Sequence, residues 1–202
     1  MPELRSRKEA ILHTATIFFS EKGFLETSMK EIAQVTGVAD GTIFYHFKTK
    51  EDLFIAVLKN FKEGIIKELE TYLATRNFAT GLDMVEGAIS FYLYLANQME
   101  DCFLLLHRHY PYKLAKDNPE CRQYLQEIYT CFIDVFEQAI LKGKQDGSIR
   151  DVPADKKALI IFTLVDGLVR MDTYNLYRTG PLYNELIESC RTMLKNKSRQ
   201  QL

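Results

Sequence analysis

The sequence predicts an all-α protein, with a small helix-turn-helix domain at the N-terminal end and a larger helical domain behind it. Three observations predict it. Residues 27–50 divide into two short helical segments on either side of Gly37. From residue 81 onward apolar residues recur at helical spacing, with no strand-like alternation and few Gly or Pro inside the periodic segments. Residues 158–169 are apolar almost all round, the pattern of a helix covered on every side.

The first helix is placed at 5–22, where Ile11, Ala15, Phe18 and Phe19 form an apolar stripe and Gly23 supplies a stop. Ser28 N-caps the next helix, with Glu31 at the capping-box spacing and Ile32 and Val35 on one apolar face. Gly37 ends it, where a left-handed residue is needed. Val38 restarts the pattern, and Ile43 and Phe47, at i and i+4, anchor the second short helix to the core. Thr49 caps a long helix at 49–73, buried through Leu53, Phe54, Val57, Leu58, Phe61, Ile65 and Leu69. At 1.5 Å per residue it is long enough to leave the small domain and enter the next. Further helices are placed near 81–98, 101–110, 119–146, 154–178 and 183–197, with Pro119 as a start signal and Gly147 as a stop. The domains are set at 1–50 and 51–202, and the last residues from Lys195 on read as frayed.

Anchoring through Ile43 and Phe47 leaves Asp40, Gly41, Thr42, Phe44, Tyr45 and His46 off the core face, with Lys48 and Lys50 close behind. A recognition helix needs side chains that reach base edges and donors for the flanking phosphates. Thr42 can bond a base or touch a thymine methyl, Phe44 can touch a thymine methyl, and Tyr45 offers a ring and a hydroxyl. Gly41 permits close backbone approach. Asp40 can accept from a cytosine amino group or simply suit the helix dipole. Arg5 and Arg7 can reach phosphate or an adjacent minor groove. Two placements compete: His46 as a structural histidine, and Phe44 as a core residue.

Thr27-Ser28, Ile32-Ala33, the run from Gly37 to Phe47 and Lys50-Glu51-Asp52-Leu53 together resemble the DNA-binding signature of the tetracycline-repressor (TetR) family. The signature covers about the first quarter of the chain, and 147–152 is similar to the family's connection at that point. The resemblance implies phosphate contacts at Thr27, His46 and Lys50, and Ser28 is a further candidate for DNA contact. Ala39 stands where many members have Ser, so it cannot cap the second helix or donate to phosphate, and Phe44 stands where many have Tyr, which removes one hydroxyl contact.

In the C-terminal part, Tyr183, Leu186, Ile187, Cys190 and Leu194 share a stripe with Met193, while Phe162, Leu164 and Leu168 belong to the all-round apolar helix. A second buried side in so small a chain suggests a partner subunit, with Gly167 allowing close helix approach; a central core helix of a monomer is the other reading. The resemblance, in which the last two helices form a dimer, favours the homodimer.

Ten of the 24 aromatic residues fall between Phe91 and Phe136. Such a stretch makes either plain core or a mostly apolar pocket with a few polar groups. The resemblance implies an effector pocket here, for which Met84, Phe91, Tyr94, Phe103, His107 and Tyr110 are candidates, with Tyr129, Phe132, Phe136 and Asp166. Tyr hydroxyls buried here need polar partners. An apolar or amphipathic effector, a fatty acyl-CoA or a hydrophobic drug, would release the protein from its DNA operator, the long 49–73 helix carrying the change.

Composition constrains the partners only weakly. The formal net charge is −1 and the pI about 6.4. Residues 1–50 hold seven Lys/Arg against six Asp/Glu, so only the position of the charges points to nucleic acid. Cys102, Cys121, Cys131 and Cys190 form no CxxC pair and no zinc spacing, and read as reduced core thiols. No metal or cofactor is expected. The apparent lack of a signal sequence fits the cytoplasm, and the longest apolar run, 158–165 broken by Thr163, is too short to span a bilayer. The reading is a ligand-responsive transcriptional repressor. Against it stand a helical protein-interaction adaptor without DNA binding, and an enzyme, for which no phosphate loop, HExxH or serine elbow is present.

Overall fold

Ser6 opens the described part of the computed structural model, which covers residues 6–195. Its hydroxyl accepts from Glu9 N at 3.2 Å and Glu9 returns a carboxylate to Ser6 N at 2.8 Å, a capping box that starts α1 (Arg7–Glu21) two residues later than the stripe alone suggests. There follow α2 (Met29–Thr36), α3 (Asp40–His46), α4 (Lys50–Thr75), α5 (Gly81–Gln98), α6 (Glu100–His107), α7 (His109–Asp117), α8 (Pro119–Asp146), α9 (Ala154–Thr173), a 3-10 turn (Gly180–Leu182) and α10 (Tyr183–Leu194). The described residues contain no strand, and none of their helices is long and apolar enough to cross a membrane.

Two helices are bounded differently from the sequence expectation. The helix expected at 101–110 breaks at Arg108, which is extended at φ −69°, ψ 160°. A further helix, α7, starts directly after it; Pro111 stands in its first turn, where a missing N–H costs nothing. The helix expected to reach residue 178 stops at Thr173, because Asn175 takes a left-handed conformation (φ 51°) and Leu176 N returns to Met171 O at 3.0 Å. Of the tail expected to fray, everything beyond Lys195 lies outside the described residues.

The chain forms two compact units, one of residues up to Ile66 with Met99–Glu127, the other of Lys67–Gln98 with residues from Ile128 onward. In the first, Ile11, Phe19, Ile32, Ile43, Leu53 and Phe54 are at most 1% exposed. Phe103 of α6 packs edge-on to Phe61 of α4, centroids 5.6 Å apart. In the second, α5, α9 and α10 pack together, with Val85, Ile89, Ile161, Val165, Cys190 and Leu194 fully buried. Gly81 is required there: a Cβ would lie 2.0 Å from Gly143 N on α8, closer than any side chain permits.

Candidate nucleic-acid interface

Ser28 Oγ accepts from Glu31 N at 3.1 Å and so caps α2 as expected, but the Glu31 carboxylate pairs with Lys22. Gly37 closes α2 in the left-handed region at φ 67°, and Val38 N bonds Ala33 O at 3.1 Å. That turn sets the direction of α3. Ala39 gives α3 no side-chain cap; the helix is held instead by its apolar anchors, Ile43 at 0% and Phe47 at 4% exposed. Because these two face inward, Asp40, Gly41, Phe44, Tyr45 and His46 face solvent, and Thr42 is half-buried. Phe44 is 46% and Tyr45 76% exposed, so Phe44 is not a core residue. His46 lies edge-on to Tyr45 at 5.2 Å. Lys48, Ser28 and Arg7 are exposed as well, while Arg5 lies outside the described residues.

Three expectations for this face are corrected. Thr27 is 1% exposed, and its hydroxyl donates to Gly23 O at 2.8 Å and Phe18 O at 3.1 Å, so its side chain ties down the turn and has no free reach to a phosphate. Lys50 Nζ donates to Thr27 O at 2.7 Å and Leu25 O at 3.2 Å and lies 4.5 Å from the Phe24 ring centroid. Burial pushes its pKa down, with Glu26 opposing, and its ammonium is committed to the loop. Val35, read as part of the apolar face of α2, is 62% exposed; Met29, Ile32 and Ala33 make that face.

The residues proposed for an effector fall into both units. In the first, Phe103 and His107 are 1% and 2% exposed. Tyr110 lies flat on Phe24, centroids 3.7 Å apart and planes 7° apart, a packing residue of the α1–α2 turn. In the second, Phe132 and Phe136 are at most 1% exposed and Tyr129 packs against Phe162 at 5.7 Å. Asp166 accepts a 2.6 Å bond from Tyr92, whose role the sequence did not single out. Phe91 stacks on Tyr72 at 4.1 Å, Tyr94 is 54% exposed and Met84 is half-buried. A cleft of about 490 Å³ in this unit is lined by other residues, among them Tyr72, Phe78, Asn184 and the bidentate pair Arg191–Glu86, at 2.6 Å through both oxygens.

Of the residues assigned to a subunit interface, Leu164 is 41% exposed and Leu168, Tyr183 and Ile187 are half-buried. Phe162, Leu186, Cys190 and Leu194, at 6%, 7%, 0% and 0%, belong to the chain's own core instead. The exposed apolar face of α9 is carried by Leu159, Ile160, Leu164 and Met171, each more than 40% exposed. Burial raises the thiols of Cys102 and Cys131 to about 12 and those of Cys121 and Cys190 to about 11, which leaves all four protonated near neutrality.

A scaffold helix packed through one face, a left-handed glycine turn and a short helix with its aromatic face outward make a helix-turn-helix, the form in which transcriptional regulators meet DNA. The comparisons say which kind. The family model described as bacterial regulatory proteins, tetR family, matches residues 11–57, spanning α1 to α3 and the start of α4. The fatty acid metabolism regulator protein of Bacillus subtilis (strain 168) is 26% identical over 200 residues, covering 98% of this chain and 100% of that one. The crystal structure of the transcriptional regulator FadR from Bacillus subtilis in complex with stearoyl-CoA is similar at a TM-score of 0.73 and 25% identity, over 91% of this chain and 97% of that one. FadR from Bacillus halodurans shares the fold at a TM-score of 0.76 and 17% identity, over 96% and 100%. Residues 11–57 thus match the TetR-family model, and over nearly its whole length the chain is similar to transcriptional regulators.

Proposed function

We propose that the protein is a repressor that binds a roughly palindromic DNA operator as a homodimer and leaves it when a small apolar or amphipathic effector binds. The observation that carries the DNA-binding reading is the outward presentation of Phe44 and Tyr45, 46% and 76% exposed, on a helix anchored by the buried Ile43 and Phe47. Large rings are held in solvent on a short rigid helix, as a surface that enters a groove requires. Residues 1–50 act as the DNA-binding domain and 51–202 as the effector and dimerisation domain. Half-sites lie about one helical turn apart or slightly more.

A long-chain acyl-CoA is the first effector to test, because the FadR structure with stearoyl-CoA is similar over nearly the whole chain. An effector of this kind works by population shift and must bind the DNA-released state more tightly by the energy it uses. The protein works in the cytoplasm. We read it as a regulator and not an enzyme, because the relatives similar over nearly the whole chain are transcriptional regulators.

The test is selection of duplexes from a random pool with the purified full-length protein, followed by gel shift of the enriched sequence with and without stearoyl-CoA. Enrichment of a palindrome that the acyl-CoA releases supports the whole reading. Enrichment without release leaves the repressor but removes that effector. Failure to enrich any sequence favours the interaction-adaptor reading.

A further inference from the structure

Given the DNA-binding reading above, we infer that Arg108 and Tyr110, which lie far outside the helix-turn-helix, are positioning residues for DNA recognition that act by clamping the α1–α2 turn. Arg108 sits in the break between α6 and α7. Its Nε donates to Ser20 O at 2.6 Å and its Nη2 to Glu21 O at 2.7 Å. These carbonyls are at the C-terminal end of α1, where the last carbonyls have no helical N–H partner and the helix dipole favours a cation. The last turn of α1 has no basic residue of its own, so Arg108 supplies both the donors and the charge. Ser20, itself 0% exposed, also reaches Asp101 of α6 at 3.3 Å.

One residue pair on, Tyr110 covers the next part of the turn. Its ring lies 3.7 Å from that of Phe24, nearly parallel, and Phe54 of α4 meets both rings edge-on at 5.0 and 5.6 Å. Lys50 Nζ lies 4.5 Å from the Phe24 centroid and bonds the carbonyls of Leu25 and Thr27. Thr27 directly precedes Ser28, the N-cap of α2. The contacts therefore run from Arg108 on the end of α1, through Tyr110 on Phe24 and Lys50 beside it, to Thr27, the residue before the N-cap of α2. The direction of α2 and α3 is thus tied to groups far beyond them in sequence, in the same compact unit.

Specific binding requires base-reading side chains in register with the groove, whereas non-specific binding is carried by phosphate charge and tolerates a tilted helix. Loosening the clamp should thus cost specific affinity first. The probes are the duplex selected by the wild-type protein and a random-sequence duplex of the same length. Arg108→Met, which keeps the stem and removes the donors, and Tyr110→Leu, which keeps apolar volume, should each weaken the selected duplex roughly tenfold, about 1.4 kcal/mol. Binding of the random duplex should stay within about twofold, and Tyr110→Phe, which keeps the stacked ring, should restore wild-type affinity. Amide exchange across residues 22–28 should rise in the two weakened variants. Folded variants that bind the selected duplex as wild type does would overturn the assignment. So would parallel loss on both duplexes in step with a lowered melting temperature, which marks a purely structural role. If the wild-type protein selects no duplex, it is the DNA-binding reading that fails, while the exchange measurement still reports on the clamp.

Discussion

Lys50 donates through Nζ to the backbone carbonyl of Thr27 at 2.7 Å, so the cation that follows α3 is part of the loop that precedes α2. Lys48, two residues earlier, is exposed. The two lysines should therefore behave differently. Lys50→Ala should lower stability by about 1 kcal/mol, below the usual worth of a charged donor because the site is half-exposed. Lys48→Ala should leave stability within about 0.5 kcal/mol and reduce the salt dependence of DNA binding by about one unit of slope. Thermal melts and binding titrations over a salt series check both.

Helical periodicity was legible: every residue from Leu53 to Leu69 assigned to the inner side of the long helix is buried. The glycine turn was legible because Gly37 is punctuation with a backbone reason, a φ of 67°. Thr27 and Lys50 were misread because a motif names neighbours along the chain, whereas their partners, Phe18 O, Gly23 O and the loop carbonyls, are set by how the helices pack. The partner of Tyr110 was not legible for the same reason: nothing in its own segment tells of Phe24. The break at Arg108 carries no Gly or Pro signal at that position, and a periodic apolar pattern passes over it.

Leu164 and Phe162 test the proposed subunit interface from opposite sides. Leu164 is 41% exposed on the outer face of α9, and Phe162, two residues away, is 6% exposed inside the chain's own core. Leu164→Arg should leave the fold intact and give a monomer by sedimentation, since a two-fold contact brings each added charge near its mate's. Phe162→Ala should instead cost about 3–5 kcal/mol of stability. A Leu164→Arg protein that remains dimeric places the interface elsewhere.

Tyr92 and Asp166 join α5 to α9 through a 2.6 Å bond. Tyr92→Phe removes the donor and keeps the ring against Phe132 and Phe162, at 4.7 and 5.7 Å. The expected loss is about 1–3 kcal/mol, the usual consequence of withdrawing one partner from a buried polar pair. Chemical denaturation at constant m-value checks it.

Asp146 predicts an acid-sensitive junction. Its carboxylate accepts from Gly81 N at 2.7 Å and Ser148 N at 2.9 Å, and bonds to Ser148 and Gly81 hold its pKa below the usual 3.8. A carboxyl whose folded pKa is depressed adds stability above its unfolded value, and that part is lost as pH falls through the folded value. Stability should drop below about pH 4 in the wild-type protein. Asp146→Asn should be less stable at neutral pH and lose less on acidification, as followed by melting temperature against pH.

Thr42, Phe44 and Tyr45 carry the last prediction. They flank Ile43 on α3, which is 0% exposed, so Phe44 and Tyr45 project outward while Thr42 stays half-buried. Phe44 has no hydrogen-bonding group and reads a base only by apolar contact, best with a thymine methyl. Phe44→Ala should therefore weaken preference at a thymine, and the loss should vanish on a duplex with uracil at that position. Tyr45→Ala should relax preference at a different base, and Thr42→Ala should have the smallest effect. A well-made contact discriminates by about 1–3 kcal/mol, so each relaxation should be visible when selection is repeated with the variant. Lys48→Ala serves as the reference, since a phosphate contact weakens all sequences alike. If the three α3 variants lose selected and random duplexes equally, α3 is not the reading helix.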